Sequence, residues 1–181
     1  MKKILALLAC LCMPLLAQEA SYPLWVGAQM EWLTIADQGT ANLGLRLGYQ
    51  PIPYVSVGLS VATIASDIRH QVDSSSAAVG YRSIGIFAEP RFFAAKKVHL
   101  LLPVTVSAAN LRSVVEGDST SRSNGWFASY DAGVYGEMDF GSHISAALGG
   151  GIRISSGVDM FGLDNEDIRT YRLGVLLKWR G

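Results

Sequence analysis

The sequence predicts an all-β fold: an eight-stranded antiparallel up-and-down transmembrane β-barrel. Three observations carry the prediction. Beyond residue 17 the chain breaks into eight runs in which every second residue is apolar, the period of a strand. The connections between runs are short on one side and long and polar on the other, the habit of a barrel that crosses a membrane. The polar face of the runs is small and rich in glycine, whereas the aromatic residues of the apolar face gather near the strand ends.

The runs lie at 24–35, 41–50, 54–65, 79–93, 98–112, 125–138, 143–155 and 170–179. The first puts Leu24, Val26, Ala28, Met30 and Trp32 on one face, against Gly27, Gln29 and Glu31. The second sets Leu43, Leu45, Leu47 and Tyr49 against Gly44, Arg46, Gly48 and Gln50, and the third Val55, Val57, Leu59 and Val61 against Ser56, Gly58, Ser60 and Ala62. In the fourth, Ile84, Ile86, Ala88 and Phe92 oppose Ser83, Gly85, Glu89 and Arg91; in the fifth, Leu100, Leu102, Val104 and Val106 oppose His99, Thr105 and Ser107. The sixth has Trp126, Tyr130, Val134 and Met138 against Ser129, Asp131, Gly133 and Glu137, and the seventh Ile144, Leu148, Ile152 and Ile154 against Ser145, Gly149, Gly151 and Arg153. The last, "YRLGVLLKWRG", alternates Tyr171, Leu173, Val175, Leu177 and Trp179 with Arg172, Gly174, Leu176, Lys178 and Arg180. Tight turns follow the second, fourth and sixth runs at 51–53, 94–97 and 139–142. Long connections follow the third, fifth and seventh at 66–78, 113–124 and 156–169. The first connection, 36–40, is short where the pattern calls for a longer one.

Bulk composition narrows the class. The 181 residues suit one domain. Fifteen basic and fifteen acidic side chains leave no net charge to recruit nucleic acid. Only 17% of residues are charged, against about 25% in a usual soluble domain. Lys2 and Lys3 precede an apolar run, Ile4 to Ala17, that is too short for a spanning helix. Residues 1–17 therefore read as a cleaved signal peptide, and 18–181 as the barrel domain. Both cysteines, Cys10 and Cys12, fall in the leader, so the mature chain has no thiol for disulfides or metal. The competing reading makes Cys10 a lipidated first residue. No other segment carries 18 apolar residues in a row, so a membrane crossing requires a barrel.

Alternation also fits a soluble, lipocalin-type barrel with its apolar face inside. A solvated face would hold Lys, Glu and Thr, yet Gly27, Gly44, Gly48, Gly58, Gly85, Gly133, Gly149, Gly151 and Gly174 share the polar face. An eight-stranded lumen has room only for side chains, and small ones suit it. Tyr49, Phe92 and Trp179 fall toward the tight turns, and Trp32, Trp126 and Tyr171 toward the loops, as two interfacial girdles require.

The last run carries Arg172, Gly174, Leu177 and Trp179: a polar residue, a glycine two on, then two apolar positions separated by one residue. It resembles the signal read by the barrel-assembly machinery of outer membranes. Through this motif, the strand count and the loop pattern, the whole mature chain resembles the small eight-stranded outer-membrane barrels of the OmpA/OmpX-like superfamily. Arg180 and Gly181 depart from the pattern, which in many members ends on the aromatic residue. The resemblance implies an outer-membrane location, both termini in the periplasm, lipid as the surroundings and a monomer. The eight runs leave no segment for a domain after the barrel, so no OmpA-like peptidoglycan-binding domain is expected.

If the apolar face meets lipid, the polar face turns four acids and five bases inward: Glu31, Glu89, Asp131 and Glu137 with Arg46, Arg91, Arg153, Arg172 and Lys178. Charges shielded from water need partners. Counting along the strands places Arg46, Glu89, Arg91, Glu137 and Lys178 near the tight turns, and Glu31, Asp131, Arg153 and Arg172 nearer the loops. Two ion-pair clusters that plug the lumen are expected. The alternative is a narrow charged pore for passive transport of small solutes.

A lipid-modifying enzyme is the remaining class. His70 lies near Asp67, Asp73 and Ser74–Ser76, but serine-rich loops offer such triads by coincidence. Asp159, Asp164, Asn165, Glu166 and Asp167 bring calcium-type oxygens together without the spacing of a calcium loop. No enzymatic activity, cofactor or metal is therefore expected. A structural role, or a surface interaction through loops with an unidentified extracellular partner, is the reading of the whole.

Overall fold

The computed structural model describes residues 24–66, 68–72, 75–115, 122–159 and 163–181. The leader at 1–17 with Cys10, and Asp67, Asp73 and Ser74, lie outside them. The described strands are β1 (Leu24–Ile35), β2 (Gln38–Ile52), β3 (Val55–Ile64), β4 (Ile68–Val72), β5 (Ser75–Phe92), β6 (Val98–Leu101), β7 (Val104–Val115), β8 (Arg122–Phe140), β9 (Ile144–Ser156) and β10 (Thr170–Arg180). A single turn of helix, α1 (Asn165–Ile168), precedes β10.

These ten segments make a ring of eight antiparallel strands. β3 and β4 both pair with β5 and form one barrel strand interrupted after Ile64. β6 and β7 form another, broken where Pro103 lacks an N–H. The ladder continues across that break, because the Leu102 N–H donates to Pro90 O and the Gly133 N–H to Pro103 O, both at 3.0 Å. The ring closes when β10 pairs with β1 over nine residue pairs, Trp25↔Arg180 to Leu33↔Arg172. Closure removes the exposed sheet edges that would otherwise recruit another chain.

The strands run past the limits read from the sequence where the long connections were expected. β4 and the start of β5 form a hairpin arm across 68–79, and β7 and β8 pair out to Ser113↔Arg122. These arms carry Ser, Arg, His and Gln in place of regularly alternating apolar residues, so hydrophobic periodicity does not report them. The short first connection is a two-residue turn at Ala36 and Asp37, with φ of 47° and 60°. That geometry belongs to the turns whose twist matches a hairpin, and Asp tolerates it.

The apolar face is outside. Leu45, Ile86, Leu148, Leu173 and Leu177 are all exposed, and Tyr171 is 84% exposed. Soluble monomers rarely expose apolar patches beyond a few hundred Å², and here the patch is a continuous belt. Among the described residues no helix is long and apolar enough to cross a membrane, so this belt belongs to the strands alone. Trp32, Trp126 and Tyr171 sit toward one rim of the belt, and Tyr49, Phe92, Phe140 and Trp179 toward the other. A soluble barrel needs the reverse orientation.

Candidate functional site: the lumen

The inward positions hold a stack of three layers. Uppermost, toward the loops, is an apolar cluster built from Leu33, Ile35, Ile64, Ile68, Val79, Tyr81, Ala109, Leu111 and Phe127 of the walls. Val158, Leu163 and Ile168 close it from above. These three belong to the connection between β9 and β10, which folds over the mouth as a cap. Asp164 and Asp167 of that connection serve its own fold. Asp164 caps α1, its Oδ1 accepting from the Glu166 N–H at 2.7 Å and the Asp167 N–H at 3.3 Å. Asp167 completes the capping box by accepting from the Asp164 N–H at 2.8 Å. Asn165 accepts from the Val158 N–H at 3.0 Å, and the Ala36 N–H donates to Asp167 O at 2.9 Å, which ties the cap to the β1–β2 turn.

Below the cap lies the first ionic layer. Arg172 donates to Glu31; Arg153 donates to Asp131 at 2.8 Å and stands 4.0 Å from Glu31. Glu31 also accepts from Asn42 Nδ2 and from the Tyr135 hydroxyl, each at 3.1 Å. The Arg153 guanidinium lies 5.0 Å above the Tyr81 ring centroid and links this layer to the apolar one.

The second ionic layer lies toward the tight turns. Lys178 pairs with Glu89, and with Glu137 at 3.1 Å; Arg46 reaches Glu89 at 3.6 Å; Arg91 reaches Glu137 at 3.1 Å. All nine charged residues read from the sequence therefore point into the lumen, in two groups of mixed sign. Three further members belong to the lower layer: Asp139, His99 and Arg180. Arg180 bonds Asp139 at 2.8 Å and Glu137 at 3.2 Å, and His99 Nε2 lies 2.6 Å from Asp139. Arg180 keeps the same parity as Arg172 and Lys178, which is the signal that finds it. Asp139 and His99 stand where a tight turn and a strand end were read, but they share the parity of Glu137 and Leu101.

Large aromatic side chains also enter the lumen. The Trp25 ring lies 5.5 Å from Phe87, with the Lys178 ammonium 4.6 Å above it. The facing residue is Gly48, where an added Cβ would fall 2.1 Å from the Trp25 ring. Gly149 does the same for Tyr135, whose ring would meet an added Cβ at 2.6 Å. Gly48 and Gly149 thus make room for aromatic rings. Paired glycine and aromatic positions on facing strands are the signal for this.

His99, Glu137 and Asp139 place one ligand atom each within 4.8 Å of one another, the only such group among the described residues. Arg91 and Arg180 already hold both carboxylates, and two guanidinium charges oppose a cation there. The arrangement is an ion-pair layer. His70 falls in β4, opposite Ala77.

No protein-family model matches the chain, and no curated protein matches its sequence. Solved structures do match its fold. Neisserial surface protein A (NspA) aligns over 90% of this chain and 100% of its own, with a TM-score of 0.70 and 12% identity. The N-terminal β-barrel domain of OprF from Pseudomonas aeruginosa aligns over 87% of this chain and 97% of its own, with a TM-score of 0.56 and 11% identity. Ail, the attachment invasion locus protein of Yersinia pestis, has been solved with the heparin analogue sucrose octasulfate. That structure aligns over 87% of this chain and 96% of its own, with a TM-score of 0.51 and 16% identity. The fold is that of the small eight-stranded outer-membrane barrels.

Proposed function

We propose that this chain is an integral outer-membrane barrel whose interior is a closed, self-paired plug and whose work is done at the cell surface by the segments above its upper rim. The observation that carries the proposal is the combination of an apolar belt outside with a capped lumen inside. A conduit needs a continuous wet path. Here an apolar cap, two ionic layers and inward aromatic rings occupy its length.

On this reading residues 1–17 are the export signal, and Arg172, Gly174, Leu177 and Trp179 are read by the assembly machinery. The segments above the rim are the β4–β5 arm, the β7–β8 arm and the cap. Two of the proteins that share the fold are, by name, a surface protein and an attachment protein, which supports a contact role for these arms. We assign the chain no reaction, because the buried titratable groups are bonded to one another.

Two measurements test the proposal. In planar bilayers the purified chain gives no steady conductance, and an ion-selective open state would overturn the plugged lumen. Cells displaying the chain bind a host-matrix or sulfated-polysaccharide surface, and shortening the β4–β5 and β7–β8 arms abolishes that binding while the barrel still folds. Equal binding by the shortened chain would remove the surface role.

A further inference from the structure

Between the two ionic layers lies a small cavity of about 20 Å³, room for one water-sized occupant. Arg46, Arg153, Arg172, Thr105 and Asn42 line it, together with Glu31 and Asp131, whose carboxylates are already held by Arg172, Asn42 and Tyr135 and by Arg153. The first five of these residues carry buried atoms that make no hydrogen bond: Arg46 Nε, Arg153 Nη1, Arg172 Nε and Nη2, the Thr105 hydroxyl and Asn42 Oδ1. Arg172 Nε stands 3.8 Å from Asp131, too far for a hydrogen bond. Arg153 and Arg172 are each only 2% exposed, so solvent does not serve these donors.

The imbalance of these groups is chemical. Among the unpaired lining atoms, four guanidinium nitrogens can only donate, and the Thr105 hydroxyl can also donate; Asn42 Oδ1 is the one obligate acceptor of that set. A water molecule accepts about two hydrogen bonds and needs acceptors for its own two hydrogens. A species that only accepts matches the set better. The charge agrees: three guanidinium groups (Arg46, Arg153 and Arg172) face two carboxylates (Glu31 and Asp131) around the cavity, and Arg46 also stands 3.6 Å from Glu89. Among these lining groups cations outnumber anions, and Arg46, Arg153 and Arg172 are buried, where incompletely compensated charge is costly.

We infer that this cavity is a binding site for a single monovalent, halide-sized anion, held by Arg46, Arg153 and Arg172. The anion would satisfy the donors and neutralise the excess charge where the two layers meet. The inference is independent of any role of the surface arms.

Crystals of the unmodified protein in sodium bromide test it directly. Diffraction at the bromine edge is expected to show an anomalous peak in the lumen between Arg46, Arg153 and Arg172. Bromide found only at the surface, or at no ordered position, overturns the site. In solution the urea midpoint of the detergent-folded chain should rise and saturate with chloride, relative to gluconate at equal ionic strength. Arg46→Gln should lose that chloride dependence. A midpoint equal in the two salts, or an undiminished chloride effect in the variant, also overturns it.

Discussion

At the scale of single residues, burial converts each ionic contact into a strong dependence on its partner. Glu31 is fully buried and accepts from Arg172, Asn42 and Tyr135. Removing a partner of a buried pair leaves an uncompensated charge and costs about 3–5 kcal/mol. Arg172→Leu should therefore lower the unfolding free energy by roughly that amount in urea titrations, and pairing it with Glu31→Gln should recover part of the loss. A second residue-scale expectation concerns space. Gly48→Val drives side-chain atoms into the Trp25 ring, and overpacking of this kind costs about 1–3 kcal/mol. Trp25→Ala in the Gly48→Val background should relieve the clash, which the same titration would show. Both effects trace to the parity of the residues. The nine inward charges were legible from the sequence because alternation alone decides which side of the wall a residue faces. Arg180 obeys the same alternation, yet it reads as a stray basic tail until Asp139 and Glu137 are seen beneath it. Trp25 and Phe87 were not legible as lumen residues, because an aromatic side chain in a strand ordinarily signals the apolar face. Only the glycine opposite reveals the room made for it.

At the scale of elements, the eight strands follow from period-two patterning, and the ring closure from β10 pairing with β1. The cap was harder to read. Asp159, Asp164, Glu166 and Asp167 look like a solvated acidic loop, and three apolar residues spread through it, Val158, Leu163 and Ile168, match neither a strand nor a long helix. Their burial depends on the upper lumen being apolar, a property of strands far away in sequence. Ile168→Asp should free the cap while leaving the strands paired. Hydrogen exchange would then show lost protection confined to Val158, residues 163–169 and the Ala36 amide, with the ladder between β1 and β10 unchanged. Exchange spreading through the whole barrel would mean the cap is part of the cooperative unit. The arms formed by β4–β5 and β7–β8 escaped the reading for another reason. They rise beyond the apolar belt, so no lipid demands alternating apolar residues there, and their pairing rests on backbone hydrogen bonds.

At the scale of the whole molecule, the structure is a soluble protein turned inside out: ion pairs form the core and leucines the surface. A closed barrel of this kind should resist dodecyl sulfate until heated, and should migrate differently on gels before and after boiling. The side chains with most to report on orientation are the four tryptophans. Trp32, Trp126 and Trp179 face outward, and Trp25 is 2% exposed inside the lower lumen. Single-tryptophan variants folded into vesicles of brominated phospholipid measure this directly through fluorescence quenching. The account predicts strong quenching of the variants that keep Trp32, Trp126 or Trp179, and little for the variant that keeps Trp25. Quenching of Trp25 with protection of the other three would contradict it.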